Sequence, residues 1–360
     1  MRVRSRYALV CVCVLWPALL HAQSTVEELN EAGWKLLGEG NGARAARLFA
    51  DALALRPDEP VLLFGAAVSA HLQGRPAEAK PRLRRALDAN PRFTPAALLL
   101  GAIAYGEGDL TSAIRTYEKA LVHAPDNPDL LSRLEAWRKE ADVHSTFEER
   151  RQDRFRVMFE GHAEAPLAAR ATEILSAAFW RIGEKLGAYP SDTIVVILYT
   201  EKQFRDITRA PEWSGGLYDG RIRVPAAGAA LKPALFERVL THELTHAMIA
   251  AIAPRGIPAW MHEGLAQHFE GEGPQAARRR LQTHGRRLPL EAIEHSFTGL
   301  TAAGALVAYD ESLLAVHTIL QNSNISWSQL FYALADGGRA GETLRGFGIG
   351  YDELEAALAP

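Results

Sequence analysis

The sequence predicts an all-α solenoid followed by an α+β domain that combines a small mixed sheet with a mostly helical C-terminal part. Three observations predict this fold class. Residues from Val26 onward repeat with a period of 34, as they do in stacked helix pairs. Thr193–Tyr199 is a run of β-branched and apolar residues that is typical of a buried strand. His242 and His246 stand four residues apart in a helical pattern, which places both imidazoles on one face of a helix.

Length and composition are those of a folded protein with two domains of ordinary size. The chain has 360 residues, of which 48% are hydrophobic and 23% are charged. Its formal net charge is −3 at pH 7, which argues against a general nucleic-acid-binding protein. No internal run approaches the ~20 apolar residues that span a bilayer, so we expect no stable membrane span in the mature protein.

The N-terminus has the three-part layout of a secretory signal peptide. Three arginines within the first six residues precede the apolar run Tyr7–Leu20, and Ala22 then offers a small residue at a cleavage site. The alternative is an uncleaved membrane anchor, for which a run of 14 residues interrupted by Pro17 is short. We therefore expect residues 1–22 to be removed and the mature protein to be secreted, into the periplasm.

Both cysteines of the chain, Cys11 and Cys13, lie in this leader. The mature protein would then form no disulfide and would offer no thiolate to a metal ion. A metal site in it must use histidine and carboxylate ligands.

The repeat region, residues 23–140, contains five columns of similar residues at the 34-residue spacing. The columns are Gly40, Gly74 and Gly108; Ala45, Ala79 and Ala113; Phe49, Leu83 and Tyr117; Ala52, Ala86 and Ala120; and Pro57, Pro91 and Pro125. This spacing resembles the tetratricopeptide repeat, in which two antiparallel helices cross at small residues and a proline ends the second. The predicted segments are three units over 26–59, 60–93 and 94–127, a capping helix over 128–140 and a linker over 141–154.

Solenoids of this kind present a surface that holds a peptide or a partner protein. We therefore expect the repeats to bind the substrate or a protein partner. The alternative is that the repeats only pack on the domain that follows and stabilise it.

The second domain is predicted over residues 155–360. Its first predicted elements are a strand over Phe155–Phe159, a helix over Pro166–Leu186, the strand Thr193–Tyr199, a hairpin from Trp213 to Pro225 that turns at Asp219-Gly220, and a helix over Lys232–Ile252. Further helices are predicted from Pro258 and over Gln275–Thr283, Pro289–His295, Leu306–Leu320, Trp327–Asp336 and Tyr351–Leu358. Strands therefore precede a mostly helical remainder.

The segment Thr241–Glu270 has the pattern of a catalytic zinc site. His242 and His246 can bring two imidazole nitrogens to one divalent ion. Glu243 lies about 100° around the helix from His242, where it can handle a water molecule. Catalytic zinc usually takes three protein ligands, and Glu263 on a second predicted helix is the candidate for the third. The alternative is an amphipathic helix whose polar residues face solvent.

These two helical segments together resemble the gluzincin metallopeptidases, in which a glutamate on a second helix completes the metal site. The setting Trp260–Ala266 (WMHEGLA) is similar to the peptidase MA-like branch. The resemblance implies one zinc ion with His242, His246 and Glu263 as ligands. It also implies peptide-bond hydrolysis with Glu243 as the general base. The chain lacks the Gly-x-Met-Glu-Asn motif of aminopeptidases, which favours an endopeptidase.

The same resemblance implies a substrate-binding strand. In gluzincins an edge strand beside the metal holds the substrate backbone, and Gly215–Val224 is the candidate for that strand here. Gly215, Gly216 and Leu217 are the residues expected to contact substrate. An ordinary hairpin is the alternative.

Three further residues have implied roles. Tyr309 matches the tyrosine whose hydroxyl stabilises the tetrahedral intermediate in related gluzincins; a plain core or helix-start tyrosine is the alternative. Ser312 matches the Tyr-x-x-Ser segment of the family and is expected to orient a neighbour, unless it is a serine of the first helical turn. His262 precedes Glu263 and is expected to support the metal ligands.

The function predicted from the sequence is therefore that of an exported zinc metallopeptidase whose repeats recruit a protein or peptide substrate or a partner. The alternative is a scaffold protein, in which the repeats bind a partner and the peptidase-like domain is a structural or zinc-bound platform.

Overall fold

The computed structural model describes residues 12–210, 214–226, 229–284, 287–321, 325–336 and 339–357. The chain divides into two compact units. Of the described residues, the first unit contains those up to Ile103 together with Ser112–Leu131, and the second contains Ala104–Thr111 and those from Ser132 onward. Residues 1–11 of the predicted leader and Trp213 of the predicted hairpin lie outside the described residues.

The N-terminal part of the chain is a succession of helices. They are α1 (Val12–Gly38), α2 (Gly42–Leu55), α3 (Pro60–Leu72), α4 (Pro76–Ala89), α5 (Thr94–Gly106), α6 (Leu110–His123) and α7 (Pro128–His144). The first six of these helices form three pairs, α1–α2, α3–α4 and α5–α6. The turn within each pair contains a glycine whose φ angle is left-handed: 77° at Gly40, 68° at Gly74 and 79° at Gly108. Glycine recurs every 34 residues there because it adopts this conformation without steric cost.

The helices of the first unit cross where the sequence has small residues. A Cβ at Gly33 or Gly65 would lie 2.8 Å or 2.3 Å from the ring of Phe49. A Cβ at Gly101 would lie 2.3 Å from the ring of Tyr117, which is fully buried. Each aromatic ring thus fills the space that a glycine opens, as the column of Phe49, Leu83 and Tyr117 predicts.

The second unit is built around a mixed sheet of five strands. The strands are β1 (Phe147–Gln152), β2 (Phe155–Glu160), β3 (Ile194–Tyr199), β4 (Leu217–Tyr218) and β5 (Ile222–Pro225). Their order is β1-β2-β3-β5-β4. The three central strands are parallel, whereas β1 and β4 pair antiparallel at the two edges.

Two predictions about these strands need correction. The segment 141–154, predicted as a linker, contains the end of α7 and the whole of β1. Four of the six β1 side chains are exposed, so this edge strand lacks the alternating pattern that reveals a strand. In the hairpin, β5 lies between β3 and β4, so only β4 is an edge strand and not the whole of Gly215–Val224.

The α-helices that follow β2 are α8 (Ala165–Leu186), α9 (Glu201–Thr208), α10 (Pro233–Ile252), α11 (Ala259–Glu270), α12 (Pro274–His284), α13 (Ala302–Gln321), α14 (Trp327–Ala335), α15 (Ala340–Gly346) and α16 (Tyr351–Ala357). The helices α8 and α10 pack on one face of the sheet and α9 packs on the other, and the helices that follow α10 pack mainly on other helices. Val196 and Leu198 of β3 face the main core with residues of α8 and α10. Val195 and Ile197 face the other side with Phe204 of α9. The predicted helix over Pro289–His295 is a 3-10 turn over Leu290–Ile293.

The helix α13 begins at Ala302, earlier than the sequence predicts, so Ser312 lies in its interior and not in its first turn. Within the described residues, α13 is the one helix long and apolar enough to cross a bilayer. More than half of its apolar window is buried in the protein, where it packs against α11 and α12. This burial is that of a core helix.

Candidate metal centre

The three predicted ligands meet between α10 and α11. His242 and His246 are one turn apart on α10, and their ring centroids are 4.9 Å apart. Glu263 comes from the first turns of α11. Its Oε2 atom is 3.5 Å from Nε2 of His242 and 3.7 Å from Nε2 of His246. One possible ligand atom from each of the three residues lies within 4.8 Å of the other two.

The donor set fits a zinc ion. Glu263 Oε2 is buried and has no hydrogen-bond partner, although two imidazole nitrogens face it. Ligand atoms about 2.0–2.1 Å from a tetrahedral ion stand about 3.4 Å from one another, close to the 3.5 Å and 3.7 Å that separate Glu263 from the two histidine nitrogens. Two histidines and one glutamate form a known ligand set of catalytic zinc, and this set leaves a fourth position open. Zinc is therefore the metal that these residues suit.

Glu270 fixes the orientation of His242, a role that the sequence analysis missed. Nε2 of His242 is turned toward Glu263, and the Nδ1–H donates a hydrogen bond to Oε2 of Glu270 at 3.1 Å. Arg238 in turn donates to Glu270 at 2.9 Å. Metal-binding histidines usually have such a partner on the second ring nitrogen. The sequence does indicate this position, because Glu270 follows Glu263 by seven residues and so lies on the same face of the helix that carries the third candidate ligand.

Burial and neighbouring charge shift the pKa values of the cluster strongly. Burial acts to lower the pKa of His242, but the carboxylates of Glu263 and Glu270 outweigh it and raise this pKa to about 10. Burial lowers the pKa of His246 to about 3. Burial also raises the pKa of Glu243 to about 7, with His242 opposing the shift. Groups perturbed in this way concentrate at functional sites.

The cluster opens into a cleft of about 1030 Å³ that includes the predicted substrate-binding residues. Gly215, Gly216 and Leu217 line this cleft together with Glu243. A Cβ at Gly216 would lie 2.7 Å from Oε1 of Glu243, so glycine lets the chain pass directly beside this carboxylate. The structure thus brings the hairpin, the candidate base and the candidate ligands together.

Tyr309 lines the same cleft from α13. Its ring lies edge-on to Phe297 at 5.2 Å between centroids, and its backbone carbonyl accepts a hydrogen bond from Gln267 of α11 at 3.1 Å. Burial raises the pKa of Tyr309, and the charges of Glu263 and Glu243 add to the effect. The hydroxyl therefore remains protonated at neutral pH and can donate a hydrogen bond.

His262 and Ser312 have different surroundings. His262 lies beside the ligands, with its ring centroid 5.7 Å from that of His246. Burial lowers its pKa to about 4, so it is neutral at pH 7. The Ser312 hydroxyl donates to the carbonyl of Ala308 at 2.6 Å, one turn back in the same helix. A Cβ at Gly264 would lie 2.2 Å from the Ser312 backbone carbonyl oxygen, so glycine at 264 allows the close packing of α11 on α13.

Comparison with known proteins identifies the N-terminal region. Residues 36–103 and 70–137 match the tetratricopeptide repeat family. Among solved structures, the chain is similar to the first TPR of Spaghetti (RPAP3), solved with a bound HSP90 peptide. The two are 23% identical with a TM-score of 0.31, over 33% of this chain and 97% of that one. No curated protein matches the chain. The region 36–137 therefore consists of tetratricopeptide repeats.

Proposed function

We propose that this protein is an exported zinc-dependent peptidase whose tetratricopeptide repeats bind a protein or peptide partner. The repeat family indicates a role in protein interaction, because such solenoids bind other chains. The peptidase part of the proposal depends on one observation. Possible ligand atoms of His242, His246 and Glu263 lie close together, and the buried Oε2 atom of Glu263 has no hydrogen-bond partner. The cleft that these residues line also contains Glu243.

Each side chain of the cleft has a distinct task in this proposal. When bound, zinc supplies Lewis acidity toward a carbonyl oxygen and toward water. Glu243 accepts a proton from the attacking water and delivers it to the leaving nitrogen. Tyr309 donates a hydrogen bond to the oxygen on which negative charge develops. Among the described strands β4 lies at the sheet edge, where an extended peptide can pair with its backbone, beginning at Leu217.

The first experiment separates metal binding from catalysis. The purified wild-type protein and Glu243→Gln should each bind about one equivalent of zinc, whereas His246→Ala should bind much less. Cleavage of a peptide library should fall by a factor of about 10²–10⁴ in Glu243→Gln, since general acid–base catalysis contributes that much. Wild-type protein that takes up less than a tenth of an equivalent of zinc after repletion would refute the metal site.

The second candidate function is a scaffold, favoured by the fact that the family match covers only the repeats. In this case the peptidase-like domain would be a structural or zinc-bound platform, and Glu243 would be dispensable. Zinc-loaded wild-type protein that cleaves none of the unstructured peptides would support the scaffold over the peptidase.

The partner can be captured with the inactive protein. Because Glu243→Gln keeps the ligands, it should retain a substrate that the wild-type protein cleaves and releases. Proteins recovered with Glu243→Gln and absent from the wild-type sample are candidate substrates. Proteins recovered equally with both are candidate partners of the repeats.

A further inference from the structure

A polar cluster joins the β4–β5 hairpin to the rest of the second unit. It includes the buried residues Glu140, Tyr199, Arg221 and Arg223, the half-buried Tyr105 and the exposed Asp219. His144 bonds to the Tyr199 hydroxyl at 2.8 Å and extends the same cluster. We propose that Tyr105 and Glu140 are positioning residues which, through Arg223, hold β4 beside Glu243 in the place where a peptide substrate binds. This inference rests on the proposed peptidase function.

The guanidinium of Arg223 donates hydrogen bonds to four residues. Its Nη1 donates to Oε1 of Glu140 at 2.9 Å and to the Tyr199 hydroxyl at 2.7 Å. Its Nη2 donates to the Tyr105 hydroxyl at 2.6 Å, and its Nε donates to Asp219 at 3.0 Å. The side chain is fully buried. A buried guanidinium with this many charge-assisted bonds has a single permitted position.

Glu140 balances two cations in the cluster. Burial acts to raise its pKa, but the charges of Arg223 and Arg221 and a hydrogen bond from Tyr105 outweigh burial and lower it. The Tyr105 hydroxyl donates to Oε2 of Glu140 at 2.7 Å. Arg221 contacts Glu140 at 3.2 Å and lies 3.8 Å above the Tyr105 ring, while its Nε and Nη2 have no hydrogen-bond partner. Arg221 therefore depends on Tyr105 and Glu140 to stay buried.

The sheet register transmits this anchoring to the cleft. Arg223 of β5 is the direct partner of Leu217 in β4. β4 contains only two residues and lies at the sheet edge, so its position follows that of β5. Gly216, next to Leu217, passes beside Glu243 so closely that a Cβ would lie 2.7 Å from its Oε1. A shift of Arg223 would therefore move the substrate strand relative to Glu243.

Tyr105→Phe tests the inference, because it removes only the hydroxyl that accepts from Arg223 and donates to Glu140, and it leaves the direct bond between those two residues in place. In the full-length protein, the amide hydrogen-exchange rates of residues 217–225 should rise about tenfold, while those of β2 should stay as in the wild type. With a cleaved peptide, KM should rise about tenfold and kcat should change less than about twofold. Zinc content should be unchanged. Tyr117→Phe is the matched control, since its hydroxyl donates to the Leu98 carbonyl and not to the cluster.

Glu140→Gln provides a second variant and should give the same local increase in exchange. Unchanged exchange of the hairpin in both variants would overturn the inference. An equal increase in β2 and β3 would overturn it as well, because the cluster would then support the whole unit. Amide hydrogen exchange is measured without substrate, so it tests the anchoring of the hairpin independently of catalysis. A wild-type protein that cleaves no peptide would refute the proposed peptidase function, and the exchange rates would still decide whether the cluster anchors the hairpin.

Discussion

At the level of single residues, Glu270 determines which nitrogen of His242 faces Glu263. The carboxylate accepts the Nδ1 proton at 3.1 Å and is itself held by Arg238. We predict that Glu270→Ala lowers the affinity for zinc about 10–100-fold, because the imidazole loses both its fixed orientation and part of its basicity. Competition with a chromophoric chelator measures this affinity.

Glu272→Ala is the control for Glu270→Ala. Glu272 also pairs with Arg238, at 3.2 Å, but its other partner is Arg280 and not a histidine. Its loss removes one nearby negative charge without freeing the His242 ring. An equal loss of zinc affinity in the two variants would show that charge, and not orientation, is what Glu270 contributes.

Glu311 is a buried carboxyl group that should make stability depend on pH. Burial raises its pKa to about 7, although the Leu288 N–H and Arg287 oppose the shift. Both carboxyl oxygens accept from the Leu288 N–H, at 3.0 and 3.1 Å. Because its pKa is raised in the folded state, its contribution to stability is complete below pH 4.5 and is lost as pH rises through about 7.

Glu311→Gln should remove this dependence, since the amide oxygen still accepts from Leu288 but does not titrate. The free energy of unfolding of the variant, minus that of the wild type, should rise by about 3 kcal/mol between pH 4.5 and pH 8. Urea unfolding at several pH values measures this difference. A difference that is constant with pH would mean that Glu311 titrates alike in the folded and unfolded chain. Glu173→Gln, at an exposed position of α8, controls for the loss of one charge.

Among the elements, α5 shows how tightly the repeat helices cross. A Cβ at Gly101 would lie 2.3 Å from the Tyr117 ring, whereas a Cβ at Gly106 meets nothing within 4 Å. We predict that Gly101→Ala destabilises the repeats by about 1–3 kcal/mol through overpacking. Gly106→Ala, in the same helix, should leave stability unchanged or slightly higher. Thermal unfolding followed by circular dichroism compares the two, and equal midpoints would contradict the crossing geometry.

Elements with a strong local pattern could be predicted, and those defined by their neighbours could not. The apolar run of β3 and the helical spacing of the two histidines in α10 are properties of short segments, so the sequence is sufficient. The exposed edge strand β1 and the two-residue β4 exist because another strand pairs with them. The side-chain pattern of these two segments therefore gives little indication that they are strands.

For the molecule as a whole, the candidate site was predictable to the extent that its residues are close in the chain. His242, His246 and Glu263 fall within two consecutive helices. The anchoring of the hairpin was not predictable, because Arg223 and Tyr105 are 118 residues apart. Neither residue type at either position indicates a partner at that distance, and only the fold brings them together.

A bound zinc ion would connect α10 to α11, and the effect of this connection on stability should be measurable in the intact protein. A ligand that binds only the folded state stabilises it by about 2.7 kcal/mol at a free concentration of 100 times Kd. We therefore expect a chelator, added at that zinc concentration, to lower the free energy of unfolding by about this amount. Hydrogen exchange should rise most at residues 242–263.

The helices α2 to α4 contribute none of the three candidate zinc ligands, so their amide hydrogen exchange should respond least to the chelator. His246→Ala is the matched control: it lacks one ligand and should show little response, because little zinc is bound to remove. An equal loss of stability in His246→Ala and in the wild type would place the stabilising ion elsewhere. The local rise in exchange then distinguishes an ion that joins α10 to α11 from one bound anywhere else on the surface.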